Sequence, residues 1–136
     1  MPQDVWKQFE ENNITHSAAH HLIAVQELRK QRGYARVTDV AKHLNITTGS
    51  ASTNLKNLKN KGLITEDENR FLVLSEEGGR LAEAVKRRKI LLNKLFVDVL
   101  SVDQSQAEID ACKTEHLISP ETTKKLEDFL KTQGLA

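Results

Sequence analysis

The sequence predicts a mainly α-helical chain of 136 residues, and three observations carry that prediction. Leu, Ala, Lys and Glu are abundant, while only 4% of residues are aromatic and two are proline, a balance that favours helices over a sandwich or barrel. Apolar residues recur at helical rather than strand spacing along most of the chain. Polar and glycine-bearing breaks divide the pattern into helix, short helix, turn, longer helix and hairpin, with further helices after. That order is a winged helix-turn-helix followed by a helical dimerisation domain.

The elements follow in order. Residues 1–13 are polar with Trp6 and Phe9 embedded, and read as an arm or loose helix. Thr15 or Ser17 caps a first helix whose Ala18, Leu22, Val25 and Arg29 share a face, and Gly33 ends it. Thr38 reads as the N-cap of a short second helix, with Val40, Ala41 and Leu44 inward. Asn45 to Gly49 form a turn. A third helix runs from about Ser50 to Asn60, burying Ala51, Leu55 and Leu58, with Gly62 as terminator. Leu63-Ile64 and Phe71 to Leu74 are β-prone runs around the polar turn Glu66 to Asn69, a hairpin. A long helix starts near Glu76, with Leu81, Ala84, Val85, Leu92, Leu95, Phe96 and Val99 as its apolar stripe. The pair Gly78-Gly79 at its start carries no evident meaning. Asp103 or Ser105 caps another helix through His116. Ser119-Pro120 opens the last, a cap followed by proline at the first helical position.

The division expected is a DNA-binding domain over 1–75, including the arm 1–13, and a helical dimerisation and metal-binding domain over 76–136. Hydrophobic residues at 38% and charged ones at 29% allow a modest core and argue against wholesale disorder. A mean hydropathy of −0.50 and the lack of any apolar run near ~20 residues exclude a membrane span. The start MPQDVWKQFEENN is no signal peptide. The single cysteine, Cys112, precludes an intrachain disulfide and fits a reducing cytoplasm.

The net charge of +1 hides an asymmetry. Between Arg36 and Lys61, the basic residues Arg36, Lys42, Lys56, Lys59 and Lys61 face one acid, Asp39. From Ser101 onward acids outnumber bases. A basic segment that coincides with the helix-turn-helix points to an anionic partner there, double-stranded DNA. In such a fold the third helix enters the major groove. Its outward residues Ser50, Ser52, Thr53, Lys56 and Asn57, with Thr38 and Thr47 before it and Arg70 in the hairpin, suit phosphates and base edges. A winged helix used only for protein contact is the alternative.

A second constellation is Glu108, Cys112, Glu115 and His116. Spacing of i, i+4, i+7 and i+8 puts all four on one stripe of one helix. Thiolate, carboxylate and imidazole together suit a first-row divalent metal. One helix rarely encloses an ion alone, and the first helix offers His16 and His20 at i, i+4. Taken singly, a cysteine is most often a small core hydrophobe. There is no serine–histidine–acid arrangement and no glycine-rich phosphate loop, so no enzyme and no small organic substrate are expected.

These residues carry a resemblance. GYARVTDVAKHLN (Gly33 to Asn45), the SAST run with the hairpin after KGLI, and ACKTEHLIS (Ala111 to Ser119) resemble the diphtheria-toxin-repressor and manganese-transport-regulator family of metal-dependent transcriptional repressors. The likeness spans roughly Ile14 to Leu130 and stops after the sixth helix, as in the family's shorter branch without an SH3-like domain. It implies that Cys112, Glu115 and His116 are ligands of the main metal site, and that His20 stands where members place a methionine or aspartate ligand. Glu108 falls where some members have a histidine ligand. Ile23 falls where the manganese branch keeps a glutamate. Lys89 and Asn93 replace a histidine and a glutamate of a further site, so one tight metal per chain is expected.

The resulting expectation is a cytoplasmic homodimer that binds operator DNA and represses metal-homeostasis genes when loaded with divalent metal. Fe(II) is favoured and Mn(II) second, with Co(II) or Zn(II) possible in vitro, because a thiolate and imidazoles are softer than an all-oxygen site. Leu91, Leu95, Phe96, Leu117, Leu126 and Phe129 are expected at the core and dimer seam. The alternatives are a manganese-responsive regulator, a metal-independent regulator sensing oxidation or a small ligand, and, from another class, a protein-interaction module or metal carrier.

Overall fold

A computed structural model describes residues 14–136; the arm with Trp6 and Phe9 lies outside the described residues. The helices are α1 (His16–Arg32), α2 (Val37–Leu44), α3 (Thr48–Asn60), α4 (Glu76–Lys94), α5 (Gln104–Thr114) and α6 (Pro120–Thr132), with strands β1 (Ile64–Glu66) and β2 (Leu72–Leu74) between α3 and α4. The fold is therefore mainly helical, with the winged helix-turn-helix order the sequence predicts. The chain divides into two compact units, Thr15–Glu83 and Ala84–Ala136, with Ile14 assigned to the second. No helix among the described residues is long and apolar enough to cross a membrane.

In the first unit, Thr15 caps α1 by accepting from the Ala18 amide, and Gly33 closes it in the left-handed region at φ 84°. Thr38 is not the cap of α2. That helix starts two residues earlier, with Arg36 at the N-cap, and the Asp39 carboxylate accepts from the Arg36 amide at 3.0 Å. A carboxylate at the third helical position that reaches back to the N-cap amide satisfies one backbone donor, half of a capping box, and it hid behind an arginine. Asp39 also pairs with Arg32 at 3.2 Å. The α3 helix begins two residues before the sequence reading, because Thr47 accepts from the Ser50 amide. Ala51, Leu55 and Leu58 face inward as predicted. They meet Leu22, Val25 and Leu28 of α1 and Val40 of α2 in one core, every one at 1% exposure or less. Burying each leucine contributes roughly 1.5–3 kcal/mol.

The strands pair antiparallel, Ile64 opposite Leu74 and Glu66 opposite Leu72. Asp67 builds the turn: its side chain accepts from the amides of Asn69 and Phe71, and Arg70 sits in the left-handed region at φ 63°. Gly78 has a role the sequence did not reveal. A Cβ there would stand 2.1 Å from the Leu63 carbonyl oxygen, whereas one at Gly79 would meet nothing within 4 Å. The start of α4 thus lies directly on the chain entering β1.

In the second unit, α4 runs into a π turn over Leu95–Val99, marked by a bond from the Leu100 amide to the Leu95 carbonyl. The extra residue per turn rotates the apolar stripe. Val85, Leu91 and Leu92 are buried, but Val99 ends up 36% exposed, so the inward position expected for it is corrected. Asp103 caps α5 by accepting from Ser105, and α5 ends at Thr114, short of His116. Ser119 caps α6 with Pro120 at its start. Ala107, Ala111 and Leu130 complete this core.

Candidate metal centre and nucleic-acid interface

In the first unit, Thr38, Thr47, Ser50, Ser52, Thr53, Lys56, Asn57 and Arg70 are all exposed. The reason is local. With Ala51, Leu55 and Leu58 fixing the inner stripe of α3, positions between them must point outward. Thr53 donates its hydroxyl proton to the Gly49 carbonyl at 3.1 Å, which leaves its oxygen lone pairs outward. The charge at this face is smaller than composition suggests. Lys59 is tied to Glu66 of β1, and Arg36 and Arg32 lean on Asp39. Lys42, Lys56 and Lys61 are exposed. The hairpin itself is acidic at Glu66, Asp67 and Glu68, so Arg70 is its basic contribution.

The same unit holds a pair of imidazoles. His16 and His20 lie one turn apart on α1, rings 4.4 Å apart edge to face, each offering a nitrogen within 4.8 Å of the other's. His16 is exposed and His20 half-buried. The neighbouring His21 is buried at 2% exposure and donates through Nδ1 to the Ser17 carbonyl at 2.7 Å.

In the second unit, the end of α5 brings together Cys112 and Glu115, at i, i+3 on one face, with sulfur and a carboxylate oxygen within 4.8 Å. Thiolate and carboxylate bonds to a divalent ion run near 2.0–2.3 Å, so donors at this spacing close on an ion with small side-chain rotations. Glu115 is buried at 1% exposure. Burial pushes its carboxyl up to about 7 against the opposing charge of Lys89. Burial and the Glu115 charge push the Cys112 thiol up as well, again opposed by Lys89. Arg88 bonds the Glu115 carbonyl at 3.5 Å and so caps the last turn of α5. Glu108 is exposed and His116 half-buried in the turn after α5; neither falls in the donor grouping found among the described residues. Sequence reasoning missed the contacts of Ser17 with Asn54, Gly78 with Leu63 and Arg88 with Glu115, because each joins residues distant in the chain.

A helix-turn-helix with a wing, joined to helices that carry a thiol–carboxylate pair, defines a winged-helix protein whose side chains include donors of the kind that could hold a metal ion. Comparison with known proteins sharpens this. The family described as iron dependent repressor, metal binding and dimerisation domain, matches residues 75–133. The iron-dependent repressor IdeR of Mycobacterium tuberculosis is 25% identical over 115 residues, 85% of this chain and 50% of its own length. The diphtheria toxin repressor of Corynebacterium diphtheriae is 26% identical over 111 residues, 82% of this chain and 49% of its own. This chain thus spans about half the length of those relatives. It spans 84% of the regulator MntR of Lysinibacillus sphaericus, at 26% identity over 86% of this chain. The manganese regulator SloR shares the fold at a TM-score of 0.75 and 20% identity, covering 84% of this chain and 53% of that one. These matches make the chain similar to the diphtheria-toxin-repressor and manganese-transport-regulator proteins, with the family model covering its second part.

Proposed function

We propose that the chain is a metal-dependent transcriptional regulator, a cytoplasmic homodimer that binds operator DNA and represses when charged with divalent metal. The observation that carries the reading is the Cys112–Glu115 donor pair, set in the segment that matches a metal-binding and dimerisation family. His20, with His16, supplies imidazole donors from α1, and His116 stands next to Glu115 as a further donor; Glu108 is the reserve. The outward Thr47, Ser50, Ser52, Thr53, Lys56 and Asn57 bind the duplex, with Thr38 and Arg70 at its backbone.

The donor chemistry fits an ion of the later first row. Sulfur and imidazole disfavour magnesium and calcium, and favour Fe(II) over Mn(II). A bound ion supplies a fixed positive charge and ties its donors into one geometry. The residues then do the rest: Glu115 and Cys112 give up protons, the histidines fix the first turns of α1, and the exposed face of α3 is held in one arrangement. Linkage requires that DNA, by favouring the same arrangement, tightens metal binding in return.

Co(II) titration tests the reading. The native chain should show a sulfur-to-metal charge-transfer band, absent in Cys112→Asp, which should lose Co(II) and Zn(II) affinity while sparing or raising that for Mn(II). His20→Ala should weaken every metal and uncouple metal from DNA. An unchanged Co(II) spectrum in Cys112→Ala would remove Cys112 from the site and end the case for iron.

A further inference from the structure

We propose that Ser17 is a positioning residue that transmits the state of the first turn of α1 to the recognition helix α3 through Asn54. The inference rests on the metal reading above and names a route by which the α1 histidines reach the DNA-facing surface. All of its parts lie in the first unit.

The Ser17 hydroxyl donates to Asn54 Oδ1 at 3.3 Å. Asn54 Nδ2 donates in turn to the Ser50 carbonyl at 3.0 Å. Both ends of the amide are therefore committed, and the two bonds agree on which end is oxygen. Ser17 is held from its other side as well: its carbonyl takes a 2.7 Å bond from Nδ1 of the buried His21. A carbonyl can only accept, so His21 carries its proton on Nδ1. The chain of contacts thus runs from the core through Ser17 and Asn54 to Ser50, a residue of the outward face of α3.

Position gives this link its leverage. Thr15 is the N-cap of α1, so His16 and Ser17 are its first two helical residues. The opening turn of a helix lacks intrahelical partners for its amides and is the first part to open. His16 precedes Ser17 directly, and His20 lies one turn above His16. Whatever fixes these imidazoles fixes the turn on which the Ser17 hydroxyl rides. With the turn fixed, Asn54 is gripped and the Ser50–Asn57 stretch is pinned. With the turn open, that restraint is gone while the buried leucine stripe still holds α3 in the core.

The experiment follows amide resonances of the 15N-labelled full chain as Zn(II), a diamagnetic probe, is added. In the native chain, shifts should appear at His16 to His20 and also along α3, including the Asn54 side-chain amide. In Ser17→Ala the α1 shifts should persist while those along α3 are lost. Ser17→Thr, which keeps the hydroxyl, should restore them. Asn54→Ala should abolish backbone shifts in α3, and adding Ser17→Ala to it should change nothing more. Shifts along α3 undiminished in Ser17→Ala would overturn the inference and leave the metal reading intact. No Zn(II) response at His16 to His20 in the native chain would overturn both.

Discussion

At the scale of single residues, Glu115 makes the fold and its proposed ligand compete with protons. Its carboxyl holds a proton up to about 7 in the fold, against an ordinary value of 4.5. A folded value raised above the unfolded one contributes stability that is fully present below pH 4.5 and is lost as pH rises through about 7. The metal-free protein should therefore lose on the order of 1–3 kcal/mol across that window. Glu115→Gln should flatten the loss, which denaturant titrations at pH 5 and pH 8 would show. Metal binding runs the opposite way, because the donors must give up protons. Co(II) affinity should climb steeply up to pH 7, then at about tenfold per pH unit above it, while the Cys112 thiol, itself pushed up by burial, still has a proton to lose. In Cys112→Asp the upper limb should be flat; an upper limb of native slope there would mean that another group releases the proton. Two adjacent glycines make a second test. Gly79→Ala should stabilise by about 0.5–1 kcal/mol, since alanine is the better helix former and open space surrounds the position. Gly78→Ala should destabilise by about 1–3 kcal/mol, because its methyl would press on the Leu63 carbonyl. Equal effects at both positions would contradict that close approach.

At the scale of elements, what could be read from the sequence was what neighbouring residues decide. Thr15, Asp103 and Ser119 announce helix starts, and Gly33 an end, because a cap is a bond between residues two to four apart. The His16–His20 and Cys112–Glu115 pairings were legible for the same reason: helical spacing alone puts each pair on one face. The π turn at Leu95–Val99 was not, since no residue type marks the shift of one hydrogen bond to the carbonyl five residues back. The pairing of Ser17 with Asn54, 37 residues away, was not legible either, since tertiary packing sets it. The basic segment was read too generously, because sequence counts charges and cannot see Lys59 engaged by Glu66. That correction shapes the DNA prediction. Lys56, exposed on α3, should neutralise a phosphate, so Lys56→Ala should weaken binding to every duplex alike. It should also make the salt slope shallower by about 0.9 per copy. Thr53→Ala should instead alter preference at one or two base positions by about 1–3 kcal/mol at most. Filter binding across a salt series separates the two, and a Lys56→Ala slope equal to the native one would move the phosphate contact elsewhere.

At the scale of the whole molecule, the second unit exposes several large apolar side chains, which are candidates for a surface that a second copy covers. Ile90 is 48% exposed, Ile109 48%, Leu100 58% and Phe129 43%, distributed over α4, the end of the π turn, α5 and α6. Of the residues expected at the core and seam, Leu91 is fully buried in the core, while Leu117 and Phe129 are exposed. Charge does not discourage association here, since cations and carboxylates alternate on α6: Lys124 pairs with Asp128, and Glu127 with both Lys131 and Arg87. A two-fold pairing lets one patch cover its own copy, and it suits a regulator that must set two recognition helices about one helical turn of DNA apart. Sedimentation at micromolar concentration should therefore show a dimer without added metal. Phe129→Lys would place a cation where the apolar contact is needed and should shift the native chain towards monomer, and Ile90→Glu should do the same from α4. Because these side chains are exposed in the single chain, both variants should keep native helix content, which circular dichroism would check. The dimeric arrangement should also double each contact to DNA, so the Phe129→Lys monomer should bind duplex with about half the native salt slope. A native chain that sediments as a monomer with and without metal, or a Phe129→Lys variant that remains a dimer, would move the pairing surface away from these helices.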